Sequence, residues 1–311
     1  MALSSGDLQL LTYLRHKGEI SGAGRVMEIG AQQLSRTFLR STGEIRQLGR
    51  LFGISEPYQV VPEGESEHAS AALLEPDAPR SRDFWRWLGY RYSSIDIDGS
   101  ADSMPIDLNY DPVPAPALGR YDLVVNAGTT EHVANQVNAF KIIHDLTKVD
   151  GIMVHNVPSQ GMLNHGLINY NPKFFWMLSR SNGYRMVYFS FLSEGQCNPV
   201  PDDIVSEMIK FRPDASTAAA HEFRNAAVLV AVQKRFDKPF VAPLDVNTGT
   251  AATNPELQDR YWSVFDTDAF ERSRGGKLHD GLKMLVGAVS PGFGIWTAVR
   301  RMVDLVRHGR E

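Results

Sequence analysis

Cysteine is almost missing from this chain: among 311 residues there is one, Cys197. That excludes an internal disulfide framework and a cysteine-built zinc cluster, and it fits a reducing compartment. Long apolar runs are missing too, so no transmembrane segment is expected. The first apolar run, Leu8-Gln9-Leu10-Leu11, is too short for a secretory signal and is followed by charge. Positive charge is not in excess. The 32 Lys and Arg stand against 36 Asp and Glu, a formal net charge of -4, which argues against dominance by phosphate contacts; no nucleic-acid partner is expected. The chain has nine histidines but no H-x-x-x-H or H-E-x-x-H spacing, so no metal site is expected. No internal repeat is present. With 43% hydrophobic and 22% charged residues, the composition is that of an ordinary globular protein. The expectation is a cytoplasmic enzyme or binding protein.

What is there is organised around Val26-Met27-Glu28-Ile29-Gly30-Ala31. A short apolar run ending at a lone Gly reads as a buried strand and a tight turn, and residues 32–51 read as the helix that follows. Gly30 lets backbone approach a ligand closely, and the helix start beside it would offer free N–H groups. Before this unit, residues 3–16 form an amphipathic helix with Ser5 and Asp7 as caps. After it, residues 53–80, rich in Pro, Glu, Ser and Ala, are an insertion. Residues 80–88 form a helix that ends at Gly89.

Tyr92 to Gly99 make a second strand and its exit, where Asp96 and Asp98 stand in a position that suits a diol ligand. Residues 104–109 are a short edge strand, since Pro105 favours an edge. Residues 121–128 are a strongly apolar central strand followed by a polar turn, with a helix starting near Glu131 under a Thr129 or Thr130 cap. A helix over 135–148 with Val137, Phe140, Ile143 and Leu146 facing the sheet leads through Asp150-Gly151 to a strand at 152–158, a parallel crossover. The loop 159–172 is polar and Gly-containing. A helix over 174–181, a strand over 185–192, a second insertion at 193–224 and a buried strand at 226–232 complete the sheet, the last two strands forming an antiparallel hairpin. Residues 245–255 are a linker. The helix over 295–307 has an apolar face and three arginines, and is expected to pack on the domain or on a dimer mate, giving a homodimer through the C-terminal helices.

The ordered set Glu28-Ile29-Gly30, Asp96 after the second strand, Asp107-Leu108, then Asp122-Leu123-Val124 leading into Glu131-His132-Val133, and helix-Gly-strand at 151–157, resembles the class I S-adenosylmethionine-dependent methyltransferases over about residues 20–235. The resemblance implies a Rossmann-like α/β fold: a seven-stranded, mostly parallel sheet of order 3-2-1-4-5-7-6 with helices on both faces. The methyltransferase domain would be 1–244, and 245–311 a C-terminal helical extension. It implies S-adenosylmethionine as cofactor and S-adenosylhomocysteine as product. By position, Glu28, Gly30 and Ala31 would line the methionine part. Asp96, with Asp98 beside it, would take the ribose hydroxyls. Asp107 and Leu108 would flank the adenine, and Asn126, Gly128 and Thr129 would sit near the sulfonium. Ala31-Gln32 stand where the family often has further glycines, and Asn126 where an acidic or small residue is frequent.

Methyl transfer from a sulfonium is an in-line displacement, so the chain's task is to align the nucleophile and exclude water. A hydroxyl acceptor also needs a base. His165, His155 and His132 are the candidates, with His165 first because it lies in a loop with Asn164, Asn169, Tyr170 and Asn171. Those side chains would bind a small polar, sugar-like or glycan-linked acceptor. Two other readings stay open: a catalytically inactive methyltransferase-fold protein that binds a partner, and a nicotinamide-dependent oxidoreductase, which the missing second and third glycines disfavour.

Overall fold

The computed structural model describes residues 2–60, 78–97, 102–193, 196–199, 225–245 and 255–261. In chain order these form β1 (Ala2–Leu3), α1 (Ser5–His16), β2 (Arg25–Ile29), β3 (Gln33–Leu34), α2 (Arg36–Arg40), α3 (Thr42–Leu51), α4 (Ser81–Trp87), β4 (Arg91–Ile95), β5 (Ser103–Met104), β6 (Tyr121–Ala127), α5 (Gln136–Leu146), β7 (Thr147–Gln160), α6 (Pro172–Asn182), β8 (Arg185–Ser193), β9 (Gln196–Pro199), β10 (Ala226–Gln233) and α7 (Pro255–Arg260).

One sheet dominates, in the order β5-β4-β2-β6-β7-β10-β8-β9. From β5 to β7 every neighbour is parallel; β10 runs antiparallel to both β7 and β8, and β9 antiparallel to β8. The central strands read as unbroken apolar runs because both faces are covered. Successive side chains point to opposite faces, and the two cores separate accordingly. Val26, Leu123, Val125, Val154 and Leu229 pack with the residues of α1 to α4, such as Leu10, Phe38, Leu48 and Trp85. Met27, Val124, Met153 and Val228 pack with Phe140, Ile143 and Phe175 of α5 and α6.

Several expectations need correction. The sheet has eight strands rather than seven, because β9, from the second insertion, adds itself to the β8 edge. Residues 32–51 are not one helix. Gln33 and Leu34 form β3, which pairs in parallel with β1, and Ser35 then caps α2 by accepting from the Phe38 N–H. No helix start therefore stands beside Gly30. The cap of α1 is Ser4 rather than Ser5: the Asp7 carboxylate accepts from both the amide and the hydroxyl of Ser4 at 2.7 Å. The chain after β6 makes a single 3-10 turn at Thr130–His132, and α5 starts only at Gln136 under an Asn135 cap. On α5, Phe140, Ile143 and Leu146 face the sheet, but Val137 is 55% exposed. Residues 262–311, with the expected dimer helix, and most of 53–80 and 193–224 lie outside the described residues. No described helix is long and apolar enough to cross a membrane.

Candidate functional site

The chain order of the parallel strands reverses at β2, with β4 on one side and β6 on the other. A sheet of this kind opens a crevice there, at the carboxyl ends of its strands, and that is where such sheets bind ligands. The crevice is present: a cleft of about 760 Å³, a size suited to a cofactor and a small second ligand.

Its first wall is the turn after β2. Gly30 has φ +80° and donates its N–H to the Ile95 carbonyl. The Ala31 N–H donates to Asp96 Oδ2 at 2.9 Å, so the carboxylate at the end of β4 is tied to the turn it faces. Gln32 explains why the loop does without further glycines. Its side chain is fully buried, and its amide nitrogen reaches the carbonyls of Ile29 and Gly30 and the Thr129 hydroxyl, stitching the β2 turn to the β6 turn. Thr129 in turn donates to the Ile29 carbonyl. Gly128, with φ +80°, donates to the Asn156 carbonyl and turns the chain over the end of β6.

Seven residues expected at a cofactor line this cleft: Gly30, Ala31, Asp96, Asp107, Leu108, Gly128 and Thr129. Ile95, Ile97, Ile106 and Leu108 add apolar side chains to its lining. Two expected residues do not line it. Glu28 is fully buried beneath the turn, where its carboxylate accepts from Ser81, Trp85, Tyr92 and the Gln32 N–H. Asn126 is also fully buried and is spent on both the amide and the hydroxyl of Thr130. Asp98 lies outside the described residues.

His132 and His165 also line the cleft, together with Glu131. The loop that carries His165 is fixed to the turn that carries Glu131, whose carbonyl accepts the N–H groups of Leu167 (2.8 Å) and Ile168 (3.1 Å). A Cβ on Gly166 would stand 2.9 Å from the Glu131 side chain and 3.0 Å from its carbonyl, so this close approach requires glycine. His165 Nε2 then lies 3.5 Å and His132 Nε2 4.0 Å from Glu131 Oε1. Glu131 is 0% exposed, and neither of its carboxylate oxygens accepts a hydrogen bond among the described residues. Burial pushes its carboxyl up to about 7, and burial followed by the neighbouring His165 pushes His132 down.

The sequence puts Glu131 at a helix start and within Glu131-His132-Val133, but assigns it no role at the site. The usable signal was its position, one residue before a histidine and just after a central strand.

His155 and the amide loop need correction. His155 points into the core between Phe140 and Phe175, not into the cleft. Burial pushes it down to about 3, so it stays neutral when folded. Unfolded, it binds a proton at an ordinary histidine pKa; its contribution to stability is therefore full above that value and lost as pH falls. From about pH 7.5 to about pH 5 it should cost the protein about 2 kcal/mol. Urea midpoints of wild type and His155→Gln at the two values check this; equal pH sensitivity would refute it. In the loop, the Asn169 side chain donates to the Gly161 carbonyl, Asn171 caps α6, and the Tyr170 hydroxyl is buried against Thr130 and Gln136. None of Asn164, Asn169, Tyr170 and Asn171 lines the cleft; from that loop only Met162 and His165 do.

No family model matches the sequence, nor does any curated protein sequence. Among solved structures the chain is similar to a SAM-dependent methyltransferase from Archaeoglobus fulgidus, with 13% identity over 72% of this chain and 93% of that one, and a TM-score of 0.36. It is also similar to geranyl diphosphate methyltransferase in complex with SAM, with 12% identity over 74% and 85% and a TM-score of 0.38. At such identities a function has to be read from the site itself.

Proposed function

We propose that this protein is an S-adenosylmethionine-dependent methyltransferase that O-methylates a small hydroxyl-bearing acceptor. One observation carries the reading: a single cleft joins a slot suited to an adenosine, at Asp96 and Asp107, to the lone-pair atoms of Glu131, His132 and His165. The topology supports it. Numbered without β1, β3 and β9, the strands lie in the order 3-2-1-4-5-7-6, with the seventh antiparallel.

The residues fit the cofactor. A carboxylate has room for diol hydroxyls beyond the Ala31 N–H that Asp96 already accepts. Ile97, Ile106 and Leu108 offer apolar contact to a flat base, and Gly30 and Gly128 keep the backbone low beside the remainder. When bound, S-adenosylmethionine supplies a methyl group on a positively charged sulfur. The chain's part is to hold the acceptor oxygen in line with it, keep water out and draw off the hydroxyl proton. The third task falls to the buried Glu131 and to the histidines at its side. A hydroxyl rather than a sugar defines the acceptor, because the amides of Asn169 and Asn171 are spent within their own loop and Asn164 does not line the cleft.

Calorimetric titration with S-adenosylmethionine, with NAD as comparison, tests the reading. Saturable 1:1 binding of the first alone is expected. Asp96→Ala should weaken it by about 10- to 100-fold, the worth of hydrogen bonds to a charged group, while the exposed Glu44→Ala leaves it unchanged. A folded protein that binds no S-adenosylmethionine would overturn the proposal.

A further inference from the structure

Among the described residues, Glu131, His132 and His165 are a group whose ligand atoms all lie within 4.8 Å of one another. We infer that they form a binding site for a divalent transition-metal ion, held by Oε1 of Glu131 and Nε2 of the two histidines. Ligands at about 2.0–2.1 Å around a tetrahedral centre stand roughly 3.3 Å apart. The 3.5 Å between His165 and Glu131 is close to that spacing, and the 4.0 Å to His132 closes with a small turn of an exposed ring.

A second observation points to a cation. The Glu131 carboxylate is wholly buried, lines the cleft and accepts no hydrogen bond among the described residues, and the groups set beside it are two imidazole nitrogens. A carboxyl buried in this way either takes up a proton or is matched by a cation, and the two imidazole nitrogens beside it are ligands such a cation would share. The scaffold is also rigid. The hydrogen bonds that the Leu167 and Ile168 N–H groups donate to the Glu131 carbonyl, and the close packing of Gly166, hold the His165 loop against the Glu131 turn. Two imidazoles and one carboxylate form a donor set that favours zinc, cobalt, manganese or iron over magnesium, and three protein ligands leave coordination positions open to the cleft. An acceptor oxygen placed there would bind the ion and lose its proton more readily. That role rests on the methyl-transfer reading; the ion site itself rests on the geometry alone. The usual histidine spacings miss it, because Glu131 and His132 share one turn while His165 comes from a loop on the far side of β7.

The test uses the full chain without a histidine tag, stripped with a chelator and dialysed. Calorimetry with Zn²⁺ and Mg²⁺ and visible absorption with Co²⁺ should show one ion per chain. Nitrogen-ligated Co²⁺ bands are expected, with Zn²⁺ strongly preferred over Mg²⁺. His165→Ala and Glu131→Gln should each weaken the binding of Zn²⁺ by about tenfold or more, with circular dichroism unchanged. An absence of 1:1 binding, a preference for Mg²⁺, or equal affinity in both variants would overturn the site. Ion binding without S-adenosylmethionine binding would sink the methyl-transfer reading and keep the site; the reverse result would sink the site and keep the reading.

Discussion

Glu131→Gln is expected to lower turnover by about two to four orders of magnitude, the usual weight of a group that moves a proton or prepares its removal. Affinity for S-adenosylmethionine should stay within about threefold, since the cofactor contacts proposed above are made by Asp96, Asp107 and their neighbours and not by Glu131. The reason lies in the environment of the carboxylate. It is 0% exposed, without a hydrogen-bond donor, and 3.5 Å from His165 Nε2. Such a group weakens the fold that carries it. In the chelator-stripped, ion-free protein the same substitution should therefore leave the melting temperature unchanged or raise it, because a neutral amide of the same shape costs less to bury. The assay is release of S-adenosylhomocysteine with an acceptor found among small hydroxyl compounds, read beside thermal denaturation. Turnover within about threefold of wild type, or a clear fall in the melting temperature of the ion-free protein, would show Glu131 to be a structural residue and remove it from the site.

The parts of the fold legible in sequence are those decided by local burial. β6, β7 and β10 each carry a buried apolar run, at 123–125, 152–154 and 226–232, because both faces of the sheet are covered there, and Asp96 stands just past the end of β4, where strand polarity alone puts it at the crevice. The parts that were not legible depend on distant partners. Residues 32–51 have the spacing of one helix. The chain breaks it at Ser35 and Ser41, because Gln33 and Leu34 pair with Ala2 and Leu3, a contact no local window can hold. Asn164 and Asn169 look like acceptor ligands in sequence, yet one is exposed away from the cleft with φ +64° and the other closes its own loop on the Gly161 carbonyl. The group of Glu131, His132 and His165 depends on a loop brought back over the end of β7 and clamped by main-chain bonds, which side-chain spacing does not encode. Glu28 shows the same limit most sharply. Its place in the sequence, two residues before Gly30, is right for a ligand, and only its partners 53 to 64 residues away turn it inward.

Glu28→Ala is accordingly expected to cost about 3–5 kcal/mol of stability, the penalty for removing one partner from a buried charged network. Four donors converge on this carboxylate: the Ser81 hydroxyl and Trp85 Nε1 at 2.6 Å, the Tyr92 hydroxyl at 2.9 Å and the Gln32 N–H at 3.2 Å. Burial raises the carboxyl's pKa while these bonds lower it, and burial prevails. Truncation leaves the donors on α4 and β4 facing an apolar interior around Phe84 and Trp85, where each unmet donor costs about 1–3 kcal/mol unless it can turn away. Glu28→Gln keeps the shape and one acceptor oxygen, so it should cost less than Glu28→Ala. For a domain whose whole stability is about 5–15 kcal/mol, the alanine change approaches unfolding, and urea midpoints of the two variants measure it. S-adenosylmethionine affinity separates the two roles open to this residue. If Glu28 braces the turn, Glu28→Gln binds the cofactor nearly as well as wild type once folded, and the loss appears in stability. If both variants keep full stability and lose the cofactor, Glu28 faces the ligand as its sequence position implies, and the inward network described here is wrong.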